Sequence, residues 1–265
     1  MAAIRGARER ARAELTNEIK REARAQLARD GAQQLSLRAV ARALGMASSA
    51  LYRYFPSRDD LLTALIVDAY TDLAETVERA VATARPALPA PAAPSAPAAP
   101  SGPSAPSGGA DDDSRLEQAL LARVRWRACC AAVRGWAREH PHEYALIYGT
   151  PVPGYHAPAE TIASAARIPL ALLGVVRTAA PRLDAVPGRP QAPELSAQTA
   201  RLVAQYAPEL PQAVVALALI AWTQLFGMVS FELFGHLAGT VQPNDAFFAY
   251  AIEQMADLLG LPAVD

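Results

Sequence analysis

The stretch SLRAVARALGMASSALYRYFPSRDDLL, residues 36–62, decides how this chain is read. Ser36 is placed to cap a helix, because its hydroxyl can accept from a free backbone N–H of the first turn. Leu37, Val40, Ala41 and Leu44 follow at the three- and four-residue spacing of a single apolar helix face. Gly45 comes directly after, where a residue lacking Cβ enters the left-handed region without a clash. Ser48 is read as the cap of a second helix, on which Leu51 and Phe55 lie one turn apart. Pro56 disfavours helix at Phe55 and ends it. Ser57, with Asp60 three residues on, forms an acidic variant of the capping box. Asp59 and Asp60 set two carboxylates at the positive end of the following helix. Two crossed helices joined by a short glycine-containing turn make a helix-turn-helix. The small Ala41, four residues before Gly45, lets those helices cross closely.

At these residues the chain resembles the DNA-binding domain of the TetR family of transcriptional regulators. That family's pattern is a Ser or Thr cap, an Ala-containing helix, Gly, and a short Ser-rich recognition helix ending in Leu-Tyr-x-(His/Tyr)-Phe. A small residue, a basic residue and acidic residues come next. Here it stands as Ser36, Ala41, Gly45, Leu51-Tyr52-Arg53-Tyr54-Phe55, Ser57, Arg58 and Asp59. Arg58 replaces the usual lysine and keeps its charge. The motif occupies residues 36–55 and the resemblance spans residues 12–72. It implies an all-α chain, with a three-helix DNA-binding domain over residues 1–60 and a helical ligand-binding and dimerisation domain over residues 61–265.

Charge is distributed as this implies. The whole chain is nearly neutral, with a net charge of −1. Residues 1–60 hold twelve Arg or Lys against seven Asp or Glu, and the remainder holds thirteen against nineteen. A basic end on an acidic body directs only the first segment towards a polyanion. Cys129 and Cys130 are the only cysteines, adjacent in a helical pattern. Neither a disulfide framework nor a metal spacing exists, which fits a reducing cytoplasm. The N-terminus lacks the apolar core of a signal peptide. The most apolar stretch, residues 213–231, is interrupted by Thr223, Gln224, Gly227 and Ser230, and is read as a core helix rather than a membrane span.

Taken in order, residues 1–13 either extend the first helix or form a basic arm. Leu15 to Asp30 form a helix ended by Gly31, and Leu61 to about Arg85 a long helix leading into the body. Residues 86–113 carry eight prolines and no large apolar side chain after Leu88, the composition of a disordered insertion. Helical patterns resume at Ser114–His140, capped by Asp111 to Ser114. They continue from Pro141 through Tyr148, over Pro158–Ala180 with Pro169 inside, over Glu194–Ala207, and over Pro211–Leu237 and Asn244–Leu259. A helix apolar on most of its surface is covered on several sides, so the last two helices are expected to face a second subunit and make a homodimer.

On DNA, the second helix of such a motif enters the major groove by its N-terminal residues. That sets Ala47, Ser48, Ser49 and Ala50 against base edges, reading by close approach rather than by a bidentate pair. Arg38 reaches a guanine or a phosphate. Tyr52, Arg53, Tyr54 and Arg58 position the backbone. A palindromic operator is the expected site.

From Trp126 onward the chain also resembles, more loosely, the body of a TetR subgroup marked by a Trp, a His and a Gly (the WHG type). The likeness runs through WAREHPHEYALIYGTPVPGY and AWTQLFGMVSFELFG. Trp222 and Gly227 stand, but Phe226 takes the place of the histidine. Trp126, Trp136, Tyr144, Tyr148, Trp222 and Phe226 are the aromatic candidates for a pocket that takes a small hydrophobic effector. No catalytic or metal constellation emerges: the four histidines lie apart, and neither a phosphate loop nor a nucleophile elbow is present. No cofactor is expected. A ligand-responsive repressor is the leading reading. An effector-free DNA-binding dimer comes second, and a helical carrier or enzyme third.

Overall fold

The structure is a computed structural model that describes residues 2–85, 109–179 and 189–261. Among the described residues there are ten α-helices and no strand. They are α1 (Ala2–Asp30), α2 (Leu37–Ala43), α3 (Ser48–Leu51), α4 (Arg58–Thr83), α5 (Gly109–Glu139), α6 (Pro141–Tyr148), α7 (Glu160–Thr178), α8 (Pro193–Tyr206), α9 (Gln212–Leu233) and α10 (Asn244–Leu258); a single 3-10 turn, Ala32–Gln34, separates α1 from α2. Helix α1 runs unbroken from Ala2, so the basic N-terminal residues extend it rather than form a separate arm. Helix α5 starts at Gly109, so residues 109–113 are helical and Asp111–Ser114 lie inside the helix rather than capping it. The rest of the expected insertion, and residues 180–188, lie outside the described residues.

The chain divides into two compact units. The first holds residues 1–75 and 134–168, the second residues 76–133 and 169–265. This differs from a division at residue 60, because α4 contributes to both units and α6 belongs with the helix-turn-helix.

In the first unit, Ile19, Ala23 and Leu27 from α1 meet Leu37, Val40 and Ala41 from α2, Leu51 from α3, and Leu61, Leu62 and Leu65 from α4, all buried. Leu146, Ile147, Val152 and Tyr155 pack on this core. Polar contacts fix them there: Tyr70 donates to the Ile147 carbonyl at 3.3 Å, and the Thr63 and Tyr155 hydroxyls lie 2.9 Å apart. Trp136 donates to the Asp72 carboxylate at 2.7 Å. These contacts join positions more than sixty residues apart in sequence, so local periodicity does not announce them.

In the second unit the apolar face of α9, including Val214, Leu217, Leu225, Phe226 and Val229, is buried. Phe248, Ile252 and Met255 of α10 are buried as well. Arg123 sits 4% exposed and reaches four acceptors on or after α10: the Glu253 carboxylate at 2.9 Å and carbonyl at 3.4 Å, Asp257 at 2.7 Å and the Leu261 carbonyl at 2.7 Å. Arg127 closes on the same Glu253 with two hydrogen bonds of 2.6 and 2.8 Å. A buried guanidinium is tolerable only when paired in this way. The Arg127 pair first, and Arg123 second, hold the Glu253 carboxyl below its usual range. Cys129 and Cys130 are fully buried, and burial pushes the Cys129 thiol up to about 12 and the Cys130 thiol well above its ordinary value, so neither is a reactive thiolate.

Candidate nucleic-acid interface

Backbone geometry builds the helix-turn-helix. The Ser36 hydroxyl accepts from the Ala39 amide at 3.4 Å, and the Ser36 amide donates to the buried Gln26 side chain at 3.1 Å. Helix α2 ends in a Schellman turn: the Met46 amide donates to the Ala41 carbonyl at 2.8 Å and the Gly45 amide to the Arg42 carbonyl at 3.1 Å. Gly45 has φ 64°, the left-handed conformation that a glycine adopts at low cost. The turn delivers the chain to α3, whose N-cap is Ala47, with no side-chain cap bond. Ser48 is therefore the first helical residue and not the cap, because the turn brings Ala47 rather than Ser48 into extended backbone. Leu51 is fully buried and Phe55 is 7% exposed, anchoring α3 from below.

That anchoring leaves the opposite edge of α3 outward. Arg38, Ala47, Ser49, Tyr52 and Arg53 are exposed; Ser48, Ala50 and Tyr54 are half-buried. Tyr52 keeps 42% of its surface in solvent. The Arg12 guanidinium lies 5.5 Å from the centre of the Tyr54 ring and donates to the Arg53 carbonyl at 3.5 Å, so α1 steadies the C-terminal end of α3. Arg42, exposed on the last turn of α2, adds a cation on this side of the sequence that the motif pattern alone did not single out.

Arg58 is held by its own chain. Its guanidinium donates to the carbonyls of Ala32 at 2.9 Å, Leu35 at 3.2 Å and Gln33 at 3.4 Å, and to its neighbour Asp59 at 3.4 Å. Those donors tie the start of α4 to the turn before α2. Three backbone acceptors thus meet the Arg58 guanidinium through its Nε and Nη2 groups. At the same helix start, the Asp60 amide donates to the Ser57 hydroxyl at 3.0 Å, and that hydroxyl donates to the Asp60 carboxylate at 2.6 Å. The acidic capping box is thus formed.

Comparison with known proteins addresses the same two regions. Residues 19–65 match the family described as bacterial regulatory proteins, tetR family, and residues 126–255 match the family described as Tetracyclin repressor-like, C-terminal domain. HTH-type transcriptional regulators of Mycobacterium tuberculosis and Mycobacterium bovis are 36% identical over 235 residues, spanning 87% of this chain and 85% of theirs. The chain belongs to the TetR family. It is a helix-turn-helix transcriptional regulator, and such proteins bind DNA and typically dimerise. A crystal structure described as that of a regulatory protein aligns over 93% of this chain and 97% of its own at 30% identity, with a TM-score of 0.64. A protein from Rhodococcus sp. RHA1 shares the fold at 22% identity and a TM-score of 0.59.

The aromatic candidates of the TetR body fall into the two units. In the first, Trp136, stacked on His140 at 5.1 Å, is 3% exposed. Tyr144 is fully buried and lies 5.2 Å from Tyr148, which also meets Tyr70 edge-on at 5.9 Å. Burial first, then Tyr70 and Tyr144, raises the Tyr148 phenol far above its ordinary value, so it stays neutral. In the second unit Trp126, 1% exposed, donates to the Ile252 carbonyl at 2.8 Å and acts as a core pillar. Trp222 meets Phe226 edge-on at 6.5 Å, and its buried indole N–H lacks a hydrogen-bond partner among the described residues.

Cavities lie in both units. One, of about 430 Å³, lies in the first unit and includes Trp136, His140, Asp68, Asp72 and Glu75. The other, of about 330 Å³, lies in the second unit between α4, α5 and α7. Of the six aromatic candidates only Trp136 lines either one; no group of three or more metal-ligating side chains occurs among the described residues. Helices α7 and α9 are long and apolar enough to cross a membrane by length and composition, and 28% and 39% of their apolar windows are buried.

Proposed function

We propose that this TetR-family chain is a cytoplasmic, homodimeric repressor that grips a palindromic operator through α3 and releases it when a small hydrophobic effector occupies the body. The observation that carries the DNA part is the outward edge of α3, with Ala47, Ser49, Tyr52 and Arg53 exposed above a buried Leu51. Small side chains at the start of α3 favour close approach to base edges. Arg38 and Arg53, with Tyr52 and Tyr54, suit phosphate and groove-edge contacts. Arg58 is left out of this set because backbone carbonyls meet its Nε and Nη2 donors and Asp59 lies beside Nη1.

Dimerisation through α9 and α10 is supported by apolar side chains left in solvent on a single chain: Ile220 at 52%, Phe231 at 54% and Tyr250 at 64%. On α9, Ile220, Thr223, Gln224, Gly227 and Phe231 are all exposed and recur at helical spacing, a stripe that a second copy would cover. Assignment to the WHG subgroup rests on Trp222 and Gly227 alone. Effector release requires different affinities of the ligand for the DNA-bound and free conformations.

The test is fluorescence anisotropy with duplexes selected from random DNA, against scrambled controls, across a salt series. Tyr52→Phe should weaken both duplexes alike, whereas Ser49→Ala should change the ratio between them. Equal losses for both substitutions on both duplexes would remove the base-reading role from α3. A compound library scored first by thermal shift and then by operator release tests the effector part, and a library without any hit that releases DNA would favour an effector-free dimer.

A further inference from the structure

The cavity of about 330 Å³ in the second unit is the place where an unused charge meets apolar walls. Its lining includes Val81 of α4, Arg125 of α5, and Ala171, Gly174 and Val175 of α7. That volume is at the lower end of the ~300–1,000 Å³ range typical of small-molecule sites. Arg125 is half-buried, and its Nε is sealed from solvent without a hydrogen-bond partner among the described residues. The two arginines that flank it in sequence differ: Arg123 and Arg127 both close on Glu253. Glu78, the one carboxylate on the lining, has an interaction of its own. The partly exposed remainder of the guanidinium lines the groove, where an incoming anion would meet it through a charge-assisted hydrogen bond and offset the cost of its partial burial.

We infer that this α4–α5–α7 groove takes an aliphatic carboxylate, with Arg125 binding the head and Val81, Ala171 and Val175 covering the chain. The inference rests on the effector reading above and narrows it from a hydrophobic compound to an anionic amphiphile. Apolar walls alone would hold a neutral chain equally well. Arg125 is what makes the site prefer the anion. Gly174 leaves the wall open, since a Cβ placed there would meet nothing within 4 Å.

The full-length dimer is titrated by calorimetry with dodecanoate below its micelle concentration, and with dodecanol as the neutral control. Dodecanoate should bind at least roughly tenfold more tightly, the strength of one charge-assisted hydrogen bond. Arg125→Gln should erase that preference while leaving dodecanol binding in place. Gly174→Leu sets its Cβ in open space on the groove wall and removes a helix-interior glycine, so it should keep the fold, checked by circular dichroism, and exclude both probes. Equal affinity for the two probes, a preference that survives Arg125→Gln, or binding undisturbed by Gly174→Leu would each overturn the assignment. If neither probe binds while a library compound releases the operator, the groove assignment falls and effector control stands. If dodecanoate binds as described but neither it nor any other compound releases DNA, the groove stands and effector control falls.

Discussion

Arg58→Met removes the guanidinium but keeps the aliphatic stem, and it separates two roles that the sequence alone cannot distinguish. In the fold the wild-type side chain donates to three carbonyls, those of Ala32, Gln33 and Leu35, at 2.9, 3.4 and 3.2 Å. Hydrogen bonds from a charged donor contribute ~1.5–3 kcal/mol each when well shielded. Arg58 is 31% exposed and water replaces part of what is lost, so we expect about 2 kcal/mol in total, the scale at which screening discounts surface charge. At ~2–4 °C per kcal/mol for a cooperative unit of this size, that lowers the melting temperature by roughly 4–8 °C. The assay is thermal unfolding followed by circular dichroism, paired with the salt dependence of operator binding at a temperature where the variant is folded. A clamp leaves the salt slope unchanged, whereas a lost phosphate contact reduces it by ~0.9 per head. An unchanged melting temperature with a reduced slope would refute the clamp and return Arg58 to the DNA-contacting set.

Other outcomes follow from the same structure. Gly45→Ala sets a Cβ in open space but at φ 64°, so it should cost about 1 kcal/mol from backbone conformation alone, with Gly45→Asn milder; chemical denaturation would show this, and equal stabilities would contradict the left-handed turn. Glu253 has a folded-state pKa held below its ordinary value of 4.5 by Arg127 and then Arg123. Its contribution is therefore full above the unfolded-state range and is lost as pH falls through the lowered folded value. The melting temperature gap between wild type and Glu253→Gln should be constant near neutrality and close on acidification through the ordinary carboxyl value of 4.5, where the unfolded carboxyl takes up protons before the folded one does. A gap that widened in acid would reverse the sign of the argument for those ion pairs. Phe231→Glu, at a side chain 54% exposed in the single chain, should give monomers in analytical ultracentrifugation without unfolding them; an intact dimer would move the interface off α9.

Much of the DNA-binding head was legible because its signals are local. The Ser36 cap, the Leu37–Val40–Ala41 stripe, the Gly45 turn and the Ser57–Asp60 box each depend on residues within one or two helical turns, and each recurs in the structure. The start of α3 was displaced by one residue, since serine propensity at Ser48 competes with turn geometry that sets Ala47 as the cap. What sequence did not yield depends on distant partners. Arg58 meets carbonyls 23 to 26 residues upstream, and Trp126 meets Ile252 across 126 positions. No local pattern distinguishes a tryptophan that lines a pocket from one that braces two helices. The same limit explains why Val81, Arg125 and Gly174, none of them conspicuous in sequence, line the cavity between α4, α5 and α7.

The outward edge of α3 is open to direct test with a cleavage reagent attached at Ser49→Cys. Cys129 and Cys130 are fully buried, so the new thiol at an exposed site is the one that reacts. On an operator selected by the wild-type protein, cleavage should fall within the major groove at two symmetric half-sites, roughly one helical turn or a multiple apart. Failure of the unlabelled protein to bind any duplex at low ionic strength, or uniform cleavage along DNA that it does bind, would contradict a head that reads the groove through α3.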